Sequence, residues 1–130
     1  MSERFSIVGL GEVLWDMLPA GPQLGGAPAN FTCHARALGA DATFISRVGN
    51  DELGREIITR LDALGVGTDC IAVDALHPTG TVSVELDAGQ PRYVIQEIVA
   101  WDFIAATPAA RLRHAARAYQ STRRPPRAPP

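Results

Sequence analysis

The run Gly25-Gly26-Ala27-Pro28-Ala29-Asn30 concentrates the most chemistry in this 130-residue chain. Paired glycines let a backbone come close to a ligand and reach conformations closed to other residues. Asn30, in or near the first turn of the helix that follows, brings an amide that both donates and accepts. Asp16 lies upstream in Gly11-Glu12-Val13-Leu14-Trp15-Asp16. A carboxylate accepts two hydroxyl hydrogen bonds side by side, which is how acids hold polyols. Together these residue types suit recognition of a neutral polyhydroxylated molecule. Each also has a plainer reading: the loop as a tight turn capped by Asn, Asp16 as a surface acid.

Other chemistries find less support. A Walker-type phosphate loop needs a lysine, and all 12 basic residues here are Arg. Gly9-Leu10-Gly11 after a first strand invites a dinucleotide-binding reading, but that motif wants a small residue at position 14, where Leu14 stands. Cys33 and Cys70 belong to no C-x-x-C pair and read as reduced thiols of a cytoplasmic protein. His34, His77 and His114 show no metal-ligand spacing, so no metal is assigned. No Ser/His/Asp or Cys/His constellation and no carboxylate pair stands out.

Alternating elements must position the candidate residues. Residues 5–10 read as a short buried strand and 12–16 as a second extended segment. Residues 19–30 read as a Gly/Pro-rich loop leading into a helix with Phe31, Ala35 and Leu38 on its apolar face. Trp15 alternates away from Asp16 toward the core. Pro28 suits a first helical turn and Gly39 a left-handed C-terminal cap. A strand over 42–48 follows. Asn50 is the expected N-cap of a second helix, with Leu53, Ile57, Leu61 and Leu64 on one face and Gly65 at its end. This order is that of an α/β domain with a largely parallel sheet. Residues 81–86 and 92–96 then alternate around the turn Asp87-Ala88-Gly89-Gln90, predicting an antiparallel hairpin with one face covered, in a smaller sheet.

Charge divides the chain. Residues 1–104 hold all 14 acids and six of the Arg, a balance of −8; residues 105–130 hold six Arg and no acid, a balance of +6. The total of −2 gives no reason to expect a nucleic-acid partner. With 46% hydrophobic residues the chain can build a core, yet no apolar run is long enough to cross a bilayer. Residues 105–118 allow a helix, and 119–130, rich in Arg and Pro, read as a disordered tail.

In combination, Gly9-Leu10-Gly11-Glu12, Asp16, Gly25-Gly26-Ala27-Pro28-Ala29-Asn30, Gly39 and Val48-Gly49-Asn50-Asp51-Glu52-Leu53-Gly54 resemble the N-terminal pattern of the PfkB-type carbohydrate kinases, the ribokinase superfamily. His77-Pro78-Thr79-Gly80-Thr81-Val82, Gly89-Gln90-Pro91-Arg92-Tyr93 and Ala100-Trp101-Asp102-Phe103-Ile104 resemble the fructokinase branch. The resemblance covers residues 5–104 and, more weakly, runs to Ala118. It implies the N-terminal part of a ribokinase-like α/β sandwich with a small β lid, and ATP-dependent phosphoryl transfer to a sugar hydroxyl. By matching positions, Asp16, Gly26 and Asn30 resemble sugar-hydroxyl ligands and Gly25 shapes their loop. Segments around 13–17, 70–73, 79–86 and 91–97 resemble the lid, from which Tyr93 faces the sugar. The lid also implies a homodimer, and the family implies ATP with Mg²⁺ and a cytoplasmic location. Fructose is the expected sugar.

The family's second signature, Asp-Thr-x-Gly-Ala-Gly-Asp, does not occur in these residues. Its last Asp is the family's catalytic base, so no catalytic residue is assigned. The expectation is a truncated and inactive kinase that binds ATP and Mg²⁺ poorly. A frameshift between residues 105 and 119, in a GC-rich gene, would account for the Arg/Pro-rich tail. The alternatives are a non-catalytic sugar-binding or dimerising module and an inert fragment.

Overall fold

The structure is a computed structural model that describes residues 5–105. The expected helix at 105–118 and tail at 119–130 lie outside the described residues, apart from Ala105. Chain order is β1 (Ser6–Leu10), β2 (Leu14–Leu18), β3 (Gly21–Gly25), α1 (Ala27–Ala37), β4 (Asp41–Gly49), α2 (Glu52–Ala63), β5 (Ile71–Asp74), β6 (Gly80–Asp87), β7 (Gln90–Ile95) and a 3₁₀ turn at Ala100–Phe103.

Two sheets form. The first is parallel, in the order β1-β4-β5, with Val8 opposite Thr43 and Ser46 opposite Ile71. Central β4 is buried along most of its nine residues, Thr43 and Ser46 included, as a strand between two neighbours should be. Its Phe44 and Val48 join Trp15, Ala29, Ile57, Leu61, Val66 and Ile71 in the main core. On the other side of β4, Ile45 and Cys70 form a smaller cluster with Val8 and Ile104.

The second sheet runs β3-β2-β6-β7 and is mixed: β2 and β6 are parallel, the other two pairs antiparallel. Three expectations change here. Residues 21–25 are a strand, not loop, joined to β2 by the short turn at Pro19-Ala20. Pro22 is tolerated because β3 lies at the sheet edge, where a missing N–H breaks no ladder. Residues 71–74 belong to the first sheet, pairing with β4, rather than to the lid. The hairpin over 80–95 has the predicted turn, but β7 is exposed along its whole length and so is the outer half of β6.

The helices follow the predicted spans with three corrections. α1 presses on β1 so closely that a Cβ at Gly9 would collide with Thr32 Oγ1. Small residues therefore face inward, Ala29, Thr32 and Ala35, while Phe31 and Leu38 are exposed. In α2, Ile57 and Leu61 are fully buried but Leu64, the C-cap, is exposed. Its N-cap is Asp51, not Asn50. The Asn50 N–H continues the strand pairing by donating to the Asp74 carbonyl at 2.9 Å, so the cap falls one residue later.

Candidate functional site

Asp16 sits mid-strand on β2, paired across β3 with Gln23 and across β6 with Val82. Alternation along β2 sends Trp15 the other way. Trp15 is 1% exposed, its indole N–H donates to the Leu53 carbonyl at 3.0 Å, and Arg60 lies 5.2 Å over its ring. The core thus grips β2 from behind and leaves Asp16 half-buried on the opposite face.

Gly25 ends β3 beside it. A Cβ at Gly25 would lie 2.5 Å from Asp16 Oδ2. Gly26 follows with φ +103, a left-handed conformation that strains other residues, and a Cβ there would meet the Glu12 carbonyl oxygen at 2.7 Å. Each glycine therefore has its own reason: Gly25 clears space for the carboxylate, and Gly26 makes the turn into α1. Gly26 is the N-cap of that helix without a side-chain cap, and Pro28 occupies its first turn as predicted. The Asn30 N–H donates to the Gly26 carbonyl at 2.9 Å, which leaves the Asn30 side chain exposed. Neither the Asp16 carboxylate nor the Asn30 amide hydrogen-bonds another described residue.

Gly25 thus lies against Asp16, and Gly26 carries the chain from β3 into α1, where Asn30 stands one turn further along. Tyr93 stands apart. The register puts it on the Asp16 face, because Asp16, Val82 and Ile95 form one cross-strand row and Tyr93 follows two places from Ile95. It is nevertheless two strands away, roughly 10 Å or more, and 65% exposed.

A second polar cluster supports the junction between the sheets. Asp51 caps α2 by accepting from the Gly54 N–H at 2.8 Å and also accepts from Thr79. Burial pushes the Asp51 carboxyl up, but the Thr79 hydroxyl and N–H, the Gly54 N–H and the Arg55 charge together hold it below the usual range. Asp74, 2% exposed, accepts from the Leu76 and His77 N–H groups, the His77 ring and Arg47 Nε at 2.8–3.0 Å. Led by the Leu76 N–H, these donors outweigh burial and hold its carboxyl far below the ordinary range. His77 stacks on Phe103, ring centres 3.8 Å apart.

Sequence reasoning missed this scaffold. Asp51 and Thr79 stand in runs that resemble the family, but their pairing and that of Asp74 with Arg47 carried no local signal, since the partners lie 28 and 27 residues apart. Neither cysteine forms a disulfide, and burial pushes the Cys33 thiol up, away from reactivity. Among the described residues no three His, Cys, Asp or Glu side chains come together to hold a metal, and no helix is long and apolar enough to cross a membrane.

The sequence profile of the pfkB family carbohydrate kinases matches residues 21–119. An uncharacterized sugar kinase of Pyrococcus horikoshii is 38% identical over 77 residues, covering 59% of this chain and 25% of that protein. Its crystal structure superposes with a TM-score of 0.68 over 74% of this chain and 35% of that one, at 32% identity. A fructokinase of Klebsiella pneumoniae is 39% identical over 84 residues, 61% of this chain and 27% of its own. The fructokinase of Xylella fastidiosa with bound ATP superposes with a TM-score of 0.66 at 30% identity, over 74% of this chain and 32% of that one. The chain thus matches about a quarter to a third of the length of these relatives.

Proposed function

The chain belongs to the pfkB family of carbohydrate kinases, and from that premise we propose that it holds the acceptor sugar for ATP-dependent phosphoryl transfer to a sugar hydroxyl, with fructose as the sugar. Asp16 accepts from two sugar hydroxyls and Asn30 donates to and accepts from others. Gly25 and Gly26 let the backbone approach the ring. The sheet β3-β2-β6-β7 is the lid, and Tyr93 reaches the sugar only when that lid closes. Closure would exclude water, whose attack on ATP would waste it. The observation that carries this reading is the clearance at Gly25, where any side chain would fill the space beside Asp16 Oδ2. A carboxylate with no partner among the described residues, held against a glycine, is arranged for a ligand.

The Asp-Thr-x-Gly-Ala-Gly-Asp run does not occur in these 130 residues. No step of phosphoryl transfer is therefore assigned to them. The reading is of a sugar-holding half, cytoplasmic like the ATP-dependent reaction it serves, which by itself binds sugar without turning over ATP.

Thermal unfolding of the chain with D-fructose tests this. Ligand binding to the folded form must raise the midpoint with concentration. The expected result is a rise that Asp16→Asn and Asn30→Ala abolish, with no ADP formed when ATP and Mg²⁺ are added. Unchanged midpoints with fructose and with the sugars of the family's other kinases would overturn it.

A second reading has its own observation. Leu86, Tyr93 and Ile95 are 72%, 65% and 62% exposed on the Asp16 face of the lid. An apolar strip of this kind on a sheet fits a dimer contact between lids.

A further inference from the structure

Trp101 sits in the 3₁₀ turn after the lid hairpin, and its surroundings are unlike those of Trp15. Gly80, the first residue of β6, pairs with Leu14 of β2. A Cβ at Gly80 would lie 2.7 Å from Trp101 Cδ1, 2.8 Å from Trp101 Nε1 and 3.3 Å from Leu14 Cβ. The pyrrole edge of the indole therefore rests on a bare stretch of backbone. On the other side of Leu14, a Cβ at Gly25 would lie 3.2 Å from Leu14 Cδ1 and 2.5 Å from Asp16 Oδ2. Asp16, Gly25, Leu14, Gly80 and Trp101 thus form one unbroken strip on one face of the lid sheet. Leu14 and Asp16 are two residues apart, about 7 Å along the strand. The strip is on the scale of a monosaccharide, with a carboxylate at one end, an indole at the other and buried Leu14 between them.

The indole N–H has no hydrogen-bond partner among the described residues. None of their buried side-chain nitrogens or oxygens is left unpaired, so the N–H of half-buried Trp101 opens to solvent rather than into the core. The turn that carries it is firmly held. The Ala100 N–H donates to the Pro78 carbonyl at 2.7 Å, the Val99 N–H to Asp102 Oδ2 at 3.1 Å, and Val99 and Ala100 are fully buried. A fixed ring with an open donor, on the same strip as a carboxylate with no partner among the described residues, is pre-organised for a ligand.

We infer that Trp101 is a sugar-contacting residue, stacking its ring on the apolar face of the sugar bound at Asp16 and donating its N–H to a sugar hydroxyl. This rests on the reading of Asp16 as a sugar ligand. Gly80 is part of the device, because any side chain there would push the ring off the strip. An aromatic face and one donor at a fixed place discriminate among sugars by ring shape and hydroxyl position.

The chain has two tryptophans, so its two indole N–H resonances report separately in ¹⁵N-labelled protein. Trp101→Phe assigns them by deleting one. On titration with D-fructose the Trp101 N–H signal is expected to move, and the Trp15 signal, locked on Leu53, to stay. Trp101→Phe should keep the fold and weaken fructose binding roughly two- to tenfold, the worth of one neutral hydrogen bond. Fructose that shifts the Asp16 and Gly25 backbone signals, but not the Trp101 indole, would overturn the inference and leave the sugar site standing. Fructose that shifts none of them would overturn both. An unaltered affinity in Trp101→Phe would remove the N–H contact even if the ring signal moved.

Discussion

Thr79 holds Asp51 with both of its donors, the hydroxyl on Oδ1 at 2.6 Å and the backbone N–H on Oδ2 at 3.0 Å. The same hydroxyl accepts from the Gly49 N–H at 2.9 Å, and Asp51 Oδ1 also accepts from the Gly54 N–H. One buried hydroxyl and one carboxylate thereby tie the end of β4, the start of α2 and the residue before β6. The tie fixes where β6 starts, and so where Gly80 and Trp101 stand relative to Asp16.

Asp51→Ala removes a helix cap and leaves the Thr79 hydroxyl without its acceptor in a buried place. The combined cost is about 2 to 4 kcal/mol. Thr79→Val removes only the hydroxyl and should cost about 1 kcal/mol. Urea denaturation of both singles and the double measures their coupling. A double whose cost equals the sum of the singles would show that the two groups act independently, against the geometry.

Acid should loosen this junction before it reaches the apolar core. Asp51 and Asp74 are both held below their ordinary range by donors that exist only in the fold. The unfolded chain then takes up more protons than the folded one as pH falls, so the stability these groups confer is complete above the unfolded carboxylate pKa of about 4 and is lost below it. The denaturation midpoint should hold from pH 7 to about 5 and fall steeply below about 4. Asp74→Asn, which discharges the partner of Arg47 and His77, should lower stability at pH 7 and flatten the acid slope. An acid slope unchanged in both Asp51→Asn and Asp74→Asn would contradict the account.

The two loop glycines should fail differently when given a methyl group. At Gly26, φ +103 and the Glu12 carbonyl leave no room to adjust, so Gly26→Ala should cost roughly 1 to 3 kcal/mol of stability. At Gly25 the obstacle is the end of a side chain, which can swing aside. Gly25→Ala should leave the melting temperature nearly unchanged and still abolish the fructose-induced rise, because Asp16 has been moved. Equal losses of stability at both positions would argue that Gly25 serves the turn and not the carboxylate.

Much of this was legible in local sequence. Alternation placed Trp15 in the core and Asp16 on the opposite face, and the Gly/Pro punctuation placed both helix ends at Gly39 and Gly65. Failures came where distant parts of the chain decide. Residues 21–25 carry two glycines and a proline, yet β2 offers them a partner, and pairing overrides propensity at a sheet edge. Residues 70–73 alternate like a lid strand, but β4 captures them. Phe31 and Leu38 are apolar and still exposed, because the contact at Gly9 admits only small side chains to the inner face of α1. Trp101 stood only in the run Ala100–Ile104 that resembles the fructokinase branch, with no role, since what matters is that it lands on Gly80.

The exposed side of the lid leads to a prediction about assembly. β7 is the edge strand of a four-stranded sheet, with Leu86, Tyr93 and Ile95 open to solvent and nothing covering them among the described residues. An uncovered edge with apolar neighbours is prone to pair with a second copy. If lids pair across this face, Leu86→Glu and Ile95→Glu bury charge in the contact and should turn a concentration-dependent dimer into a monomer in sedimentation equilibrium. Since Ile95 shares a row with Asp16 through Val82, pairing there would also steady the strand that carries Asp16 in the proposed sugar site. The charged variants should then weaken fructose binding although neither residue adjoins Asp16. Monomeric wild-type chain at high concentration, or variants that bind fructose unchanged, would separate the lid's exposed face from both roles.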